Sequence, residues 1–183
     1  NCDERFIPIE APHLKALAEQ GLVLGGLSRL YRPYEIGRPN ARIHLLLFTL
    51  RGAGKLHSAG GQRTLRPREL LIAPAGSAYR YQVAQEPWEL AWLHFAPKAR
   101  WASGGVRKLT VRPTSVLSQI VAPLERILRE SSEKQFESGR LCELAAEELL
   151  IGVRRELLLT AAPREYERTL EAAERIGASS PFV

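Results

Sequence analysis

Methionine is absent from the 183 residues, and aspartate occurs once, as Asp3. A lone aspartate in a terminal segment removes Asp-dependent triads and paired-aspartate chemistry, so acid–base work would fall to glutamate and histidine. The missing methionine, at position 1 included, is expected of a fragment or of a processed start. Two cysteines, Cys2 and Cys142, cannot build a disulfide framework, and neither has a second Cys or a His at metal-ligand spacing. With no charged-then-apolar leader at the start, a reducing, cytoplasmic setting is expected. No apolar run approaches the ~18 to 20 residues of a membrane span. Histidines are few, and His13, His44, His57 and His94 are scattered, as satisfied or exposed side chains are.

What is present is ordinary globular material. Hydrophobic residues make up 45% and charged residues 25% of the chain, enough for a real core. The net charge is +6. Residues 1–100 hold 14 basic and 8 acidic side chains and residues 101–183 hold twelve of each, so the excess lies wholly in the first part. Arg63, Arg66, Arg68 and Arg80 could form a patch, but no aromatics are interleaved as in single-strand binders, and a charge excess of this size is usually a solvated face. Direct nucleic-acid contact by this stretch is not expected.

Short apolar runs separated by Gly and Pro fill the first part. Ile43 to Leu50 is nearly all apolar, the pattern of a strand covered on both faces. KLHS and QRTL flank Ala59-Gly60-Gly61, a hairpin signal. LLIA (Leu70 to Ala73) ends at the turn Pro74-Ala75-Gly76, and AYRYQV and WELAWLHF read as two further strands. Short strands about ten residues apart predict an antiparallel sandwich or barrel over residues 22–112. After Pro113 the spacing changes to threes and fours. Thr114 or Ser115 is placed to cap a helix that ends near Ser131-Ser132 and that Pro123 should kink or split. A second helix runs from about Ser138 to Thr160, and a third periodic piece covers Arg164 to Gly177.

The segment RPRELLIAPAGSAYRYQV resembles the second conserved motif of the cupin barrels, with the usual metal-binding His position falling on Tyr79. The first motif would need His-x-His before Leu45, and residues 38–45 offer only His44, so the three or four ligands of a metal site are missing. No cofactor is expected. RPNARIHLLLFTLRGAGKLHSAGGQRTLRPRELLIAPAGSAYRYQVAQEPWELAWLHFAPKARW is similar to the arabinose-binding domain of AraC-family transcription regulators, and GRLCELAAEELLIGVRREL resembles that family's dimerisation helix. The likeness runs from about Leu22 to Leu159. It implies a mainly β fold with α: a cupin or jelly-roll-like β barrel followed by two antiparallel helices. It further implies an N-terminal arm over residues 1–21, a helical dimerisation region over 113–162, and a linker with the first helix of a helix-turn-helix DNA-binding domain over 163–183. A small-molecule effector, a second copy of the chain and, through that further domain, DNA are the implied partners, and no enzyme activity is implied.

Alternate residues of a strand share a face, which groups Tyr79, Tyr81 and Val83, and separately Leu90, Trp92 and His94. Trp92 offers a flat apolar plate for a small ring and Tyr81 a hydroxyl on an apolar body. By resemblance, Ser28, Arg38, Tyr81 and Trp92 match ligand-contacting positions, with Tyr79 beside them, and Arg38 would bring a fork of donors to hydroxyls or a carboxylate. Arabinose-responsive members place a polar His where this chain has Leu90, which argues against arabinose itself. Each of these side chains also has a plain packing or surface role open to it. A metal-free cupin enzyme or a scaffold with a side-chain-filled barrel are the rival readings; for the enzyme, Glu89 is expected on the strand face opposite Trp92.

On the long helix, Ala145, Ala146, Leu149, Leu150, Val153 and Leu157 form a broad stripe suited to the first helix and the barrel. Leu144, Ile151 and Leu158 repeat by sevens, with Glu148 and Arg155 between them, as in a coiled-coil seam. Two antiparallel copies about Ile151 would bring Leu144 to the partner's Leu158 and Glu148 to the partner's Arg155. A helix buried on both sides within one monomer is the alternative.

Overall fold

The apolar run at Ile43 to Leu50 does not stop at Arg51-Gly52 as a short strand would. In a computed structural model of the chain, which describes residues 2–99 and 108–158, it continues to Ser58 as one strand. The described strands are β1 (Cys2–Phe6), β2 (Leu22–Leu30), β3 (Glu35–Arg38), β4 (His44–Ser58), β5 (Gly61–Leu65), β6 (Glu69–Ala73), β7 (Tyr79–Phe95) and β8 (Thr110–Pro113). All pair antiparallel, in the order β1-β2-β7-β4-β6-β8, with β3 added on β7 and β5 on β4.

Two long strands organise this sheet. AYRYQV and WELAWLHF, expected as two strands, are the two halves of β7. Its first half pairs with β3 at Tyr79 to Gln82 and its second with β2 at Trp88 to Phe95, while β4 accompanies it throughout. In β4 the register shifts between Thr49 and Gly54, where Gly52 takes φ +69°. A bulge that bends a strand lets it pass from one layer to the next without ending. This is why each strand was longer than its sequence punctuation suggested. The result is the cupin or jelly-roll-like arrangement, with β4 and β7 common to both layers.

Because side chains alternate, the strands build two cores. Leu45, Leu47, Leu56, Leu71, Tyr79, Tyr81, Val83, Trp88, Leu90 and Trp92 fill the barrel. Leu46, Phe48, Leu70, Ile72, Ala91, Leu93 and Phe95 face outward and are buried against helices. The covering layer comprises a 3-10 turn at Pro12–Leu14, α1 (Lys15–Glu19), α2 (Leu117–Glu133) and α3 (Ser138–Leu158). Burying a leucine or phenylalanine side chain contributes about 1.5–3 kcal/mol, so the outer layer is no incidental appendage.

Helices α2 and α3 run antiparallel, joined by Arg126–Glu148 at 3.4 Å and Arg155–Gln119 at 2.9 Å. Pro123 does not split α2, which is continuous from Leu117 to Glu133. A proline cannot donate to the carbonyl four residues back, here Gln119. That carbonyl lies against Gly152 of α3, where an added Cβ would stand 2.7 Å away, so the missing side chain at 152 admits the close approach. Neither Thr114 nor Ser115 caps α2; Val116 holds that position, and Thr114 instead accepts the Val116 N–H at 3.3 Å. The start of the chain is ordered: Cys2–Phe6 pairs with β2, and part of the stretch from His13 to Gln20 is helical. The periodic piece at Arg164 to Gly177 lies outside the described residues.

Candidate functional site

Row by row across the first layer, Phe6, Gly26, Trp92 and Leu47 stand opposite one another, and Glu4, Ser28, Leu90 and Thr49 form the next row of that face. Gly26 carries no side chain, and a Cβ there would overlap the Arg5 carbonyl. Strand β1 therefore lies close over the barrel, and its inward side chains reach the interior.

A cavity of about 190 Å³ opens at this point. Ser28, Arg38, Tyr81 and Trp92, four of the five expected ligand-contacting residues, line it together with Glu4, Phe6, Leu24, Leu30, Tyr34, Ile36, Leu90 and His94. Tyr79 is not among them. It stacks on Tyr81 at a centroid distance of 6.1 Å and lines a shallow surface hollow with Arg38 and His57. It stands opposite Arg38 in the register, yet of that pair only Arg38 lines the cavity.

Trp92 is held rather than free. Its Nε1 donates to the Ser28 hydroxyl at 2.8 Å, and that hydroxyl donates to Glu4 at 3.0 Å. Phe6 packs edge-on against the indole, centroids 5.7 Å apart, and His94 lies tilted on it at 5.1 Å. Burial pushes the Tyr34 hydroxyl up to about 12, with the Glu4 charge adding and Arg38 opposing. Burial likewise raises Tyr81 and Tyr79. His94 is pulled down to about 4, first by burial and then by the Arg38 charge. Near neutral pH the phenols are therefore donors, His94 is uncharged, and the formal charges on the cavity are those of Arg38 and Glu4.

Glu4, Phe6 and Tyr34 had no signal pointing to them in the sequence. The first two act only because β1 pairs with a strand some twenty residues later. Glu89 faces outward, as expected, and pairs with Arg29 at 2.9 Å. That pair belongs to a wider hollow of about 390 Å³, lined also by Asp3, Arg5 and Glu125. His44, the one histidine near the motif positions, pins two turns: its Nδ1 accepts the Ala75 N–H at 3.0 Å and its Nε2 lies 3.4 Å from the Pro97 carbonyl. Among the described residues no three His, Cys, Asp or Glu side chains converge as a metal site would require. No described helix is long and apolar enough to cross a membrane.

On α3 the expected inner stripe is buried, as is Cys142. Leu144, Ile151 and Leu158 are 44%, 44% and 61% exposed and face away from the barrel. Glu148 and Arg155, expected to face a partner, are engaged within the monomer by Arg126 and Gln119.

A barrel whose inner faces enclose a small cavity with a ring and opposed polar groups is a small-molecule-binding domain. A model of the AraC-like ligand-binding domain matches residues 35–153, and the chain belongs to that family. Over 74 residues it is 31% identical to the arabinose operon regulatory proteins of Salmonella typhimurium and of Escherichia coli, a match that covers 39% of this chain. The match spans about a quarter of those relatives, 26% and 25% of their lengths. Among solved structures, protein Ylba from E. coli is 20% identical with a TM-score of 0.47, covering 63% of this chain and 45% of that one. The putative glyoxylate-induced protein of Pseudomonas aeruginosa is 13% identical with a TM-score of 0.41, covering 51% and 35%.

Proposed function

We propose that the chain is the sensing and dimerisation module of an AraC-type transcription regulator, acting in the cytoplasm as a sensor and not as an enzyme. A sugar-like small molecule would occupy the barrel, a second copy would join through α3, and DNA would be bound by a further domain of the same protein. The observation that supports this best is the hydrogen-bonded chain Glu4–Ser28–Trp92. Through it the first strand is fastened by the same residues that would meet a ligand.

Linkage then supplies the mechanism. Because Glu4 and Phe6 are walls of the cavity, a ligand that touches them binds better when β1 is seated, and so must stabilise the seated state by the same free energy. A change in how the arm is held alters the surface the dimer offers to its DNA-binding domains. An enzyme would ask for a positioned acid–base pair, and Glu89 is turned outward while His94 is uncharged near neutral pH.

The test is a melting screen with sugars, sugar acids and small aromatic acids, repeated after removal of residues 1–6. A binder present at a hundred times its Kd adds about 2.7 kcal/mol to stability. The expected outcome is a saturable shift that Trp92→Ala abolishes and that weakens when the arm is removed. No shift across the panel would favour the scaffold reading, and equal affinity without the arm would separate sensing from the arm.

A further inference from the structure

The two charges of the cavity do not meet. Glu4 takes hydrogen bonds from Ser28 at 3.0 Å and, more weakly, from the Cys2 thiol at 3.8 Å. Arg38 reaches only the carbonyl of its own neighbour Gly37, at 3.3 Å. Among the described residues it makes no ion pair, although Arg29, Arg32, Arg63 and Arg80 of the same barrel each hold a glutamate. Beside it stand the hydroxyls of Tyr34 and Tyr81, which make no hydrogen bond among the described residues and which burial keeps protonated. The cavity thus offers a guanidinium beside Gly37, a carboxylate with the Ser28 oxygen beside β1, and two phenols that feel both charges.

We propose that the ligand is a small hydroxy-carboxylic acid of sugar size, its carboxylate at Arg38, Tyr34 and Tyr81 and its hydroxyls at Glu4 and Ser28. This rests on the small-molecule reading above and narrows it. A neutral sugar satisfies the Glu4 end and leaves the guanidinium and phenols without an anion. An aliphatic or aromatic acid without hydroxyls satisfies Arg38 but leaves Glu4 with only the Ser28 and Cys2 donors it already has, forgoing the charge-assisted hydrogen bonds that ligand hydroxyls would add. A volume of about 190 Å³ lies below the usual range for drug-sized ligands and suits a five- or six-carbon molecule.

Matched pairs decide it: galacturonate with galactose, glucuronate with glucose, and xylonate with xylose, each assayed by melting temperature and titration calorimetry on the whole chain. The acid of at least one pair should bind about ten- to a hundredfold tighter than its neutral twin, the range of a charge-assisted contact. Arg38 is exposed, so Arg38→Gln leaves the ligand-free melting temperature unchanged, and it should erase the preference for the acid. Glu4→Gln should weaken both members alike. A neutral twin that binds as tightly as its acid, or a preference that survives Arg38→Gln, overturns the carboxylate assignment and leaves the sensor standing. Stabilisation by no member of any pair overturns both.

Discussion

The Thr114 hydroxyl donates to the Glu156 carboxylate at 2.5 Å, at the place where the last strand gives way to the helices. Glu156 is 1% exposed, and its charge is met by Arg112 of β8, whose guanidinium also donates to the Glu156 carbonyl at 2.6 Å. One buried carboxylate therefore ties β8, the strand-to-helix junction and the last turns of α3 together. Removing one partner from a buried pair leaves the other desolvated and uncompensated. Glu156→Ala should cost on the order of 3 kcal/mol in urea unfolding. A loss under 1 kcal/mol would mean that water already reaches the carboxylate.

Gly26 sets how the first strand sits. With a Cβ overlapping the Arg5 carbonyl, Gly26→Ala should lift β1 and break the Glu4–Ser28 hydrogen bond while the barrel still melts cooperatively. A closure weakened by about 1.4 kcal/mol opens about tenfold more often. Tryptic cleavage after Arg5 should accelerate by that factor, and an unaltered cleavage rate would show that the strand is held by other contacts.

Acid should weaken the fold through His94. The folded imidazole takes its proton only near pH 4, the unfolded one near 6.5. Between those values the unfolded chain binds more protons, so stability is full above about pH 6.5 and falls as the pH drops toward 4. Arg38 is the charged neighbour that adds to this, so anion binding there should soften the fall. The difference between wild type and His94→Gln, measured by denaturation from pH 7.5 to 4, isolates the contribution. Parallel curves would show that the ring is hydrated in the folded state.

The α3 seam makes a fourth prediction. An antiparallel copy centred on Ile151 would cover Leu144, Ile151 and Leu158 and close a hollow of about 330 Å³ between α2 and α3. Ile151→Arg places like charges on the axis and should convert a dimer to monomer in sedimentation, with the melting curve of the monomer retained because the side chain is 44% exposed. Dimers that persist in both Ile151→Arg and Leu158→Glu would move the interface elsewhere.

Alternation by two made the inner face of β7 readable: Tyr81, Leu90 and Trp92 do line the cavity, while Tyr79 does not, although Arg38 opposite it does. The buried stripe and the exposed stripe of α3 were readable for the same reason, since helical period alone separates Leu149 from Ile151. Strand lengths were not, because Gly52 and Pro87 punctuate the sequence like turns while the backbone runs on through a bulge. Glu4 and Phe6 escaped notice because their role depends on register with β2, a long-range property that local pattern does not encode. The close approach of the Gln119 carbonyl, four residues before Pro123, to α3 likewise involves Gly152, a residue on another helix.

Trp92 and Leu93 are adjacent on one strand and point to opposite cores, the first into the cavity and the second beneath the helices. The partition between a bound molecule and the helical layer is thus a single backbone thick. Between the indole and the floor of the helical layer stands one peptide unit, with no relay of side chains. On that geometry, the wall of the cavity and the seat of the helices are two faces of the same strand.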